Sequence, residues 1–297
     1  MAGTRLSGIV VRTLLAGGLI ALSAASSPVR AEAIKVVAAE NVYGDIARQI
    51  GGADVSVTSI LSNPNQDPHE FEASASTARA IADARLVIYN GAGYDPWAAK
   101  LLAASKATSR EVLEVAMLVR RKAGDNPHFW YDAAAMSALG SSLAAKMSDI
   151  DGAHRSGYAA RGAAFEVSMV RLRERIAALR NKHAGTSVTA TEPVFDYMAE
   201  ALGLKMRNSR LQLAVMNGTE PGAAAITAFE NDLRTRAVKV LLYNTQTTQA
   251  LAERMRSIAN QSGVPIVSIT ETAPEGKSYQ AWMLAQLDEL DRALGSR

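Results

Sequence analysis

No cysteine occurs among the 297 residues of this chain. It therefore cannot form a disulfide or hold a metal through thiolate, and it lacks the residue through which an N-terminal lipid is attached. No acid precedes Glu32, whereas Arg5 and Arg12 stand near the start. The apolar stretch from Thr13 to Ala25 is rich in glycine and alanine and ends in Ser26-Ser27-Pro28-Val29-Arg30-Ala31. It falls short of the roughly 18 apolar residues that a membrane span needs, as does every other segment. A basic start, a short apolar centre and a small-residue exit instead predict a secretory leader over residues 1–31. A secreted chain without a lipid-bearing cysteine is expected to be free in a periplasm.

A strong charge imbalance is also missing. The formal net charge is +3, from 32 basic and 29 acidic residues, and Arg5, Arg12 and Arg30 all lie in the leader. The remainder is balanced and offers no clustered basic face, which argues against nucleic acid as a partner.

What is present is an alternation of short β-rich runs with helical patterns. Ile34–Ala39, Val55–Leu61, Leu86–Tyr89 and Val112–Leu118 read as strands, with helices at about Val42–Ile50, Ser76–Ala84, Tyr94–Ala104 and Tyr131–Met147. The pattern then restarts. Ser187–Ala190, Met206–Leu213, Ala237–Tyr243 and Pro265–Ile269 read as strands, and Val194–Leu202, Gly222–Arg236, Thr245–Ser262 and Tyr279–Leu294 as helices. Such alternation predicts an α/β fold of two lobes, each a parallel-type sheet flanked by helices.

Between the two sets, residues 153–183 contain no proline, and Phe165, Met169, Leu172, Ile176 and Leu179 recur at helical spacing. One long, stiff helix is expected here, joining an N-terminal lobe at 32–150 to a C-terminal lobe at 185–297 through a linking segment at 151–184. A single rod permits less hinge motion than flexible crossovers do.

Only four histidines are available: His69, His128, His154 and His183. The last two fall among charged residues of the long helix and are expected to be solvated. His69 lies in Asp67-Pro68-His69-Glu70-Phe71 after a strand, and His128 in Asn126-Pro127-His128-Phe129-Trp130 before a helix. Ligands in α/β sheets gather at the carboxyl ends of strands, and a preceding proline restricts the loop that carries a donor. One such histidine would as readily be structural; two with the same local pattern point to metal ligation. Glu192 and Glu271 sit at matching strand ends in the second half, although each acid could equally favour a helix N-terminus. Glu275-Gly276-Lys277-Ser278 is not a phosphate loop, because position 271 would have to be glycine.

The two histidine elements, Gly91-Ala92-Gly93-Tyr94-Asp95-Pro96-Trp97, the long helix and the closing helix together resemble the zinc/manganese group of substrate-binding proteins of ABC importers. The resemblance spans the whole chain after the leader. It implies a non-catalytic, monomeric protein that captures a divalent metal in an inter-lobe cleft and delivers it to a membrane permease. By position it implies His69, His128, Glu192 and Glu271 as the four ligands. Glu192 stands where zinc-type members usually carry a third histidine and manganese-type members carry glutamate. Glu271 stands where aspartate is usual, which leaves neighbouring Glu275 as its substitute.

Two imidazoles and two carboxylates suit both zinc and manganese, with carboxylate oxygen leaning toward the harder ion. Zinc-type members often carry a histidine-rich loop in the first lobe, and residues 98–127 contain no histidine. Mn2+ is therefore expected slightly ahead of Zn2+. The competing expectations are a secreted zinc hydrolase, for which the sequence holds no His-Glu-x-x-His helix, and a metal-stabilised adhesin.

Overall fold

A computed structural model describes residues 1–4, 32–105 and 107–295. The expected leader, 1–31, lies outside the described residues beyond its first four. The first half runs β1 (Ile34–Glu40), α1 (Asn41–Gly51), β2 (Val55–Leu61), α2 (Ala75–Asp83), β3 (Leu86–Tyr89), α3 (Pro96–Ala104), β4 (Glu111–Glu114), α4 (Val115–Leu118) and α5 (Ala133–Ile150). A single helix follows, α6 (Arg155–His183), of 29 residues and so about 44 Å long at 1.5 Å per residue.

The second half runs β5 (Ser187–Ala190), α7 (Asp196–Ala201), β6 (Lys205–Arg207), α8 (Ser209–Met216), α9 (Ala223–Arg234), β7 (Leu241–Asn244), α10 (Ala250–Ser262), β8 (Ile266–Ile269) and α11 (Tyr279–Gly295). Among the described residues, no helix is long and apolar enough to cross a membrane.

Each half holds one four-stranded parallel sheet, and the two share a topology: β2-β1-β3-β4 and β6-β5-β7-β8. In each, the chain steps to one side of its first strand and then crosses back to the other. This creates a switch point between β1 and β3, and another between β5 and β7. Loops leaving the carboxyl ends diverge there and open a crevice. The central strands are apolar on both faces, as parallel strands covered by helices must be. In β1, Val36 and Ala38 face one core and Val37 faces another.

The two halves share their main core. One contiguous apolar cluster takes in Val36, Ile88 and Leu139 of the first half, Phe165 and Leu172 of α6, and Leu242, Val267 and Leu290 of the second. The long helix buries Tyr158, Phe165, Met169, Leu172 and Leu179. Its ends are tied to opposite halves. Arg161 donates to the carbonyls of Ile50 and Gly51, and Arg180 donates to those of Glu200 and Ala201. A rod fixed at both ends and packed through a common core resists wide opening.

Three local expectations are corrected. The strand expected over Met206–Leu213 is only Lys205–Arg207. Asn208 turns the chain at φ 65°, a left-handed conformation that asparagine tolerates. Leu211 and Val215, four apart, then bury one face of α8. Likewise the strand expected over Val112–Leu118 ends at Glu114 and becomes the single turn α4. His183 is not solvated: it is buried, and its Nε2 lies 2.7 Å from Asp291 Oδ1 on α11. Helical spacing identified a face at this position but not that α11 would return to cover it. His154 is partly exposed and pairs with Asp151 at 2.6 Å.

Candidate metal centre

His69 lies in the single 3-10 turn Pro68–Glu70 after β2. Asp67 caps that turn by accepting from the His69 N–H at 2.9 Å. Pro68 enters the turn at its first position, where its missing N–H costs nothing. His128 precedes the turn Phe129–Tyr131 and is fully buried.

Asn126 fixes the His128 ring. Its Nδ2 donates to the Pro193 carbonyl at 2.7 Å, so its Oδ1 faces His128, accepting from the backbone N–H at 3.1 Å and from Nδ1 at 2.7 Å. With the proton on Nδ1, the lone pair is on Nε2. That nitrogen is buried and has no hydrogen-bond partner. A buried, oriented lone pair without a partner costs stability unless something outside the protein takes it up.

Glu271 supplies the nearest oxygen. Its Oε2 is 3.4 Å from His128 Nε2 and 3.6 Å from His69 Nε2. One donor atom from each of His69, His128 and Glu271 falls within 4.8 Å of the others. Glu275, by contrast, is exposed on the following loop. Glu192 leaves β5 at the second sheet's switch point, and Asn244 ends β7 beside it. The Asn244 Nδ2 donates to Glu192 Oε2 at 2.7 Å and to Glu271 Oε1 at 2.8 Å. Three of the four expected residues, His69, His128 and Glu271, are thus brought together; Glu192 is not in that group and is linked to it through the shared Asn244 amide. His154 and His183 lie elsewhere, the first in the turn just before the long helix and the second at its end.

The burial is uneven. Glu192, Glu271 and His128 are almost wholly enclosed, whereas the His69 side chain keeps 29% of its surface. The crevice is therefore reached past His69. Tyr94 forms part of its wall, with its ring 5.4 Å from His69 and 5.9 Å from His128 and its hydroxyl donating to Glu271 Oε2 at 2.8 Å. Tyr94 is presented by a turn whose residues Gly91, Ala92 and Gly93 all have positive φ. A Cβ at position 91 would also strike Glu114, so that glycine is required twice over.

The charges oppose one another. Burial, and then the charge of Glu271, push Glu192 up to about 7, against the hydrogen bonds of Asn244 and Thr247. Burial would also raise Glu271, but its contacts with His128, then with His69 and the Tyr94 hydroxyl, hold it down at about 2. Burial lowers His128 and keeps it neutral, the form that binds a metal. Two carboxylates, one of them reluctant to ionise, face two imidazoles across a small gap. The donor atoms of His69, His128 and Glu271 lie close enough together for one cation to reach all three.

Sequence reasoning did not find Asn244, Asn126 or Gln246 as supports, and it quoted Tyr94 only within a motif. The available signal was a polar residue closing the buried run Leu241-Leu242-Tyr243-Asn244.

Residues 36–293 match the family described as zinc-uptake complex component A, periplasmic. The chain is 24% identical over 285 residues to a metal ABC transporter substrate-binding lipoprotein, SloC, of Streptococcus mutans, covering 88% of this chain and 90% of that one. It is 25% identical over 302 residues to a manganese ABC transporter substrate-binding lipoprotein, PsaA, of Streptococcus pneumoniae, covering 95% of each. In fold it resembles the periplasmic zinc-binding protein TroA of Treponema pallidum, with a TM-score of 0.74 and 17% identity over 89% of this chain and all of that one.

Proposed function

Since the chain belongs to the periplasmic zinc-uptake component A family, we propose that it captures a divalent transition metal, Mn2+ or Zn2+, as cargo and delivers it to the membrane permease of an ABC importer. Four side chains hold the metal: His69 and His128 from the first half, Glu192 and Glu271 from the second. The observation that carries this reading is His128 Nε2, buried and unpartnered, 3.4 Å from Glu271 Oε2.

Relatives with names of the same kind are substrate-binding proteins of ABC transporters rather than enzymes, so the hydrolase reading is set aside. Two imidazoles and two carboxylates favour Mn2+ slightly over Zn2+ by donor hardness. The working units are the halves at 32–150 and 185–297 with the link at 151–184, acting as a monomer without nucleic acid. The leader at 1–31 exports the chain to the periplasm. The relatives named above are lipoproteins. Fractionation into soluble and membrane pools tests whether this chain shares their anchoring, and the soluble pool is expected from a sequence without cysteine.

Native mass spectrometry of protein purified without added metal, paired with Mn2+ and Zn2+ titrations, tests the proposal. One metal per chain is expected. Binding that survives unchanged in both His128→Ala and Glu271→Ala would refute this site.

A further inference from the structure

We propose that Gln246 is a positioning residue that ties the two ligand loops together across the crevice and sets how fast the metal leaves. The inference rests on His69 and Glu271 being ligands, as argued above.

Gln246 follows β7 and is 2% exposed. Its amide is used at both ends. Its Oε1 accepts from the backbone N–H groups of Glu271 at 2.6 Å and Thr272 at 3.1 Å. Its Nε2 donates to the Gln66 carbonyl at 2.8 Å. Its own backbone N–H donates to Asn244 Oδ1 at 3.1 Å, which turns the Asn244 amide nitrogen toward Glu192 and Glu271. One buried side chain thus grips the loop of Glu271 and reaches into the first half three residues before His69, while the backbone of the same residue steadies the amide that orders both carboxylates.

The direction of that last bond matters. His69 is the most exposed of the four donors, so a metal leaves on its side, and leaving requires the loop at 63–71 to lift from the second half. Two side-chain bonds from the 245–249 segment hold that loop down. Thr248 Oγ1 to Glu70 Oε1, at 3.1 Å, is exposed. An exposed bond of this kind exchanges readily with water and holds little. The Gln246 bond is part-buried: its acceptor is on exposed Gln66, but its donor is a side chain 2% exposed, so breaking it leaves the enclosed Gln246 amide nitrogen short of a partner. Loop opening, and with it metal release, is therefore limited at Gln246. Supports of ligand geometry typically change affinity by about 10–100-fold when removed.

The test is stopped-flow release of Zn2+ and of Mn2+ from the loaded full-length protein into excess chromophoric chelator. Wild type is compared with Gln246→Met, which keeps the length and loses every side-chain bond while leaving the backbone bond to Asn244, Gln246→Asn, which keeps the amide but shortens its reach, and Thr248→Val. Release from Gln246→Met is expected to be at least about tenfold faster than from wild type, with association within about threefold. Gln246→Asn should fall between them, and Thr248→Val should match wild type. Should Gln246→Met fail to fold, Gln246→Asn decides alone, with about threefold faster release as its threshold. Release at the wild-type rate, even with a lowered melting temperature, would make Gln246 a structural residue and overturn the inference. Wild-type protein that binds neither ion would instead refute the proposed function, so the two failures are distinguishable.

Discussion

The Asn244 Nδ2 lies 2.8 Å from Glu271 Oε1 and, from the same nitrogen, 2.7 Å from Glu192 Oε2. A single amide thus donates to two buried carboxylates at once, offsetting part of their repulsion. Asn244→Leu removes that support while keeping the volume. Affinity for Mn2+ and for Zn2+ should fall about 10–100-fold, read by competition with a chelator of known affinity. An unchanged affinity would mean that the metal alone orders the carboxylates.

Affinity should depend on pH with a definite sign. Metal binding needs Glu192 ionised, and burial with the Glu271 charge places that ionisation at about 7 in the metal-free protein. Protons therefore compete below that value, and affinity is expected to fall about tenfold per pH unit on the acid side of 7 and to level off above it. Burial moves His128 the other way, toward the neutral form, so its own proton competes less than that of Glu192. Titrations between about pH 5.5 and 8, roughly one unit or more either side of that midpoint, measure the slope. A flat profile contradicts the assignment of Glu192.

The same shift carries a stability consequence. The folded value of Glu192 lies above its ordinary one, so its contribution is most favourable at low pH and is lost as pH rises toward about 7. Glu271, held at about 2, works in the opposite sense and loses its contribution only as pH falls toward that value. In the metal-free protein, the Glu192 contribution to melting temperature should decline from weakly acid to neutral pH. Saturating metal should abolish that decline, and calorimetry with and without metal checks it.

Glu192→His tests what decides between the two ions. A third imidazole in place of a carboxylate favours the softer, more nitrogen-loving ion. The ratio of Zn2+ to Mn2+ affinity should rise by about tenfold or more, measured by titrating both ions on both proteins. A fixed ratio would place selectivity in the crevice's shape rather than in this donor.

Packing of the long helix supplies a prediction away from the metal. A Cβ on Gly140 of α5 would come within 2.6 Å of Phe165 Cδ1 on α6, and Phe165 is 3% exposed and cannot swing away. Gly140→Ala should cost about 1–2 kcal/mol, since overpacking outweighs the gain in helix propensity. The melting temperature should fall by roughly 2–8 °C with metal affinity unchanged, and Phe165→Leu in the same chain should recover part of the loss.

The alternation of buried β runs with helical spacings was enough to define two parallel sheets, because strands covered on both faces must be continuously apolar. The spacing of Phe165, Met169, Leu172 and Leu179 was enough to define one long helix. The Pro-His elements and the glutamate after β8 marked His69, His128 and Glu271, whose donor atoms come within 4.8 Å of one another, because local chain chemistry dictates which loops carry donors at strand ends.

Folding alone decided which atoms meet. That Glu271 rather than Glu275 faces the histidines depends on the path of the chain after β8. That His183 is buried depends on α11 returning to cover it. Asn244 and Gln246 could not be read as supports, since each acts by reaching residues far away in the chain, and an amide at the end of a strand looks the same in sequence whether it meets water or a buried carboxylate.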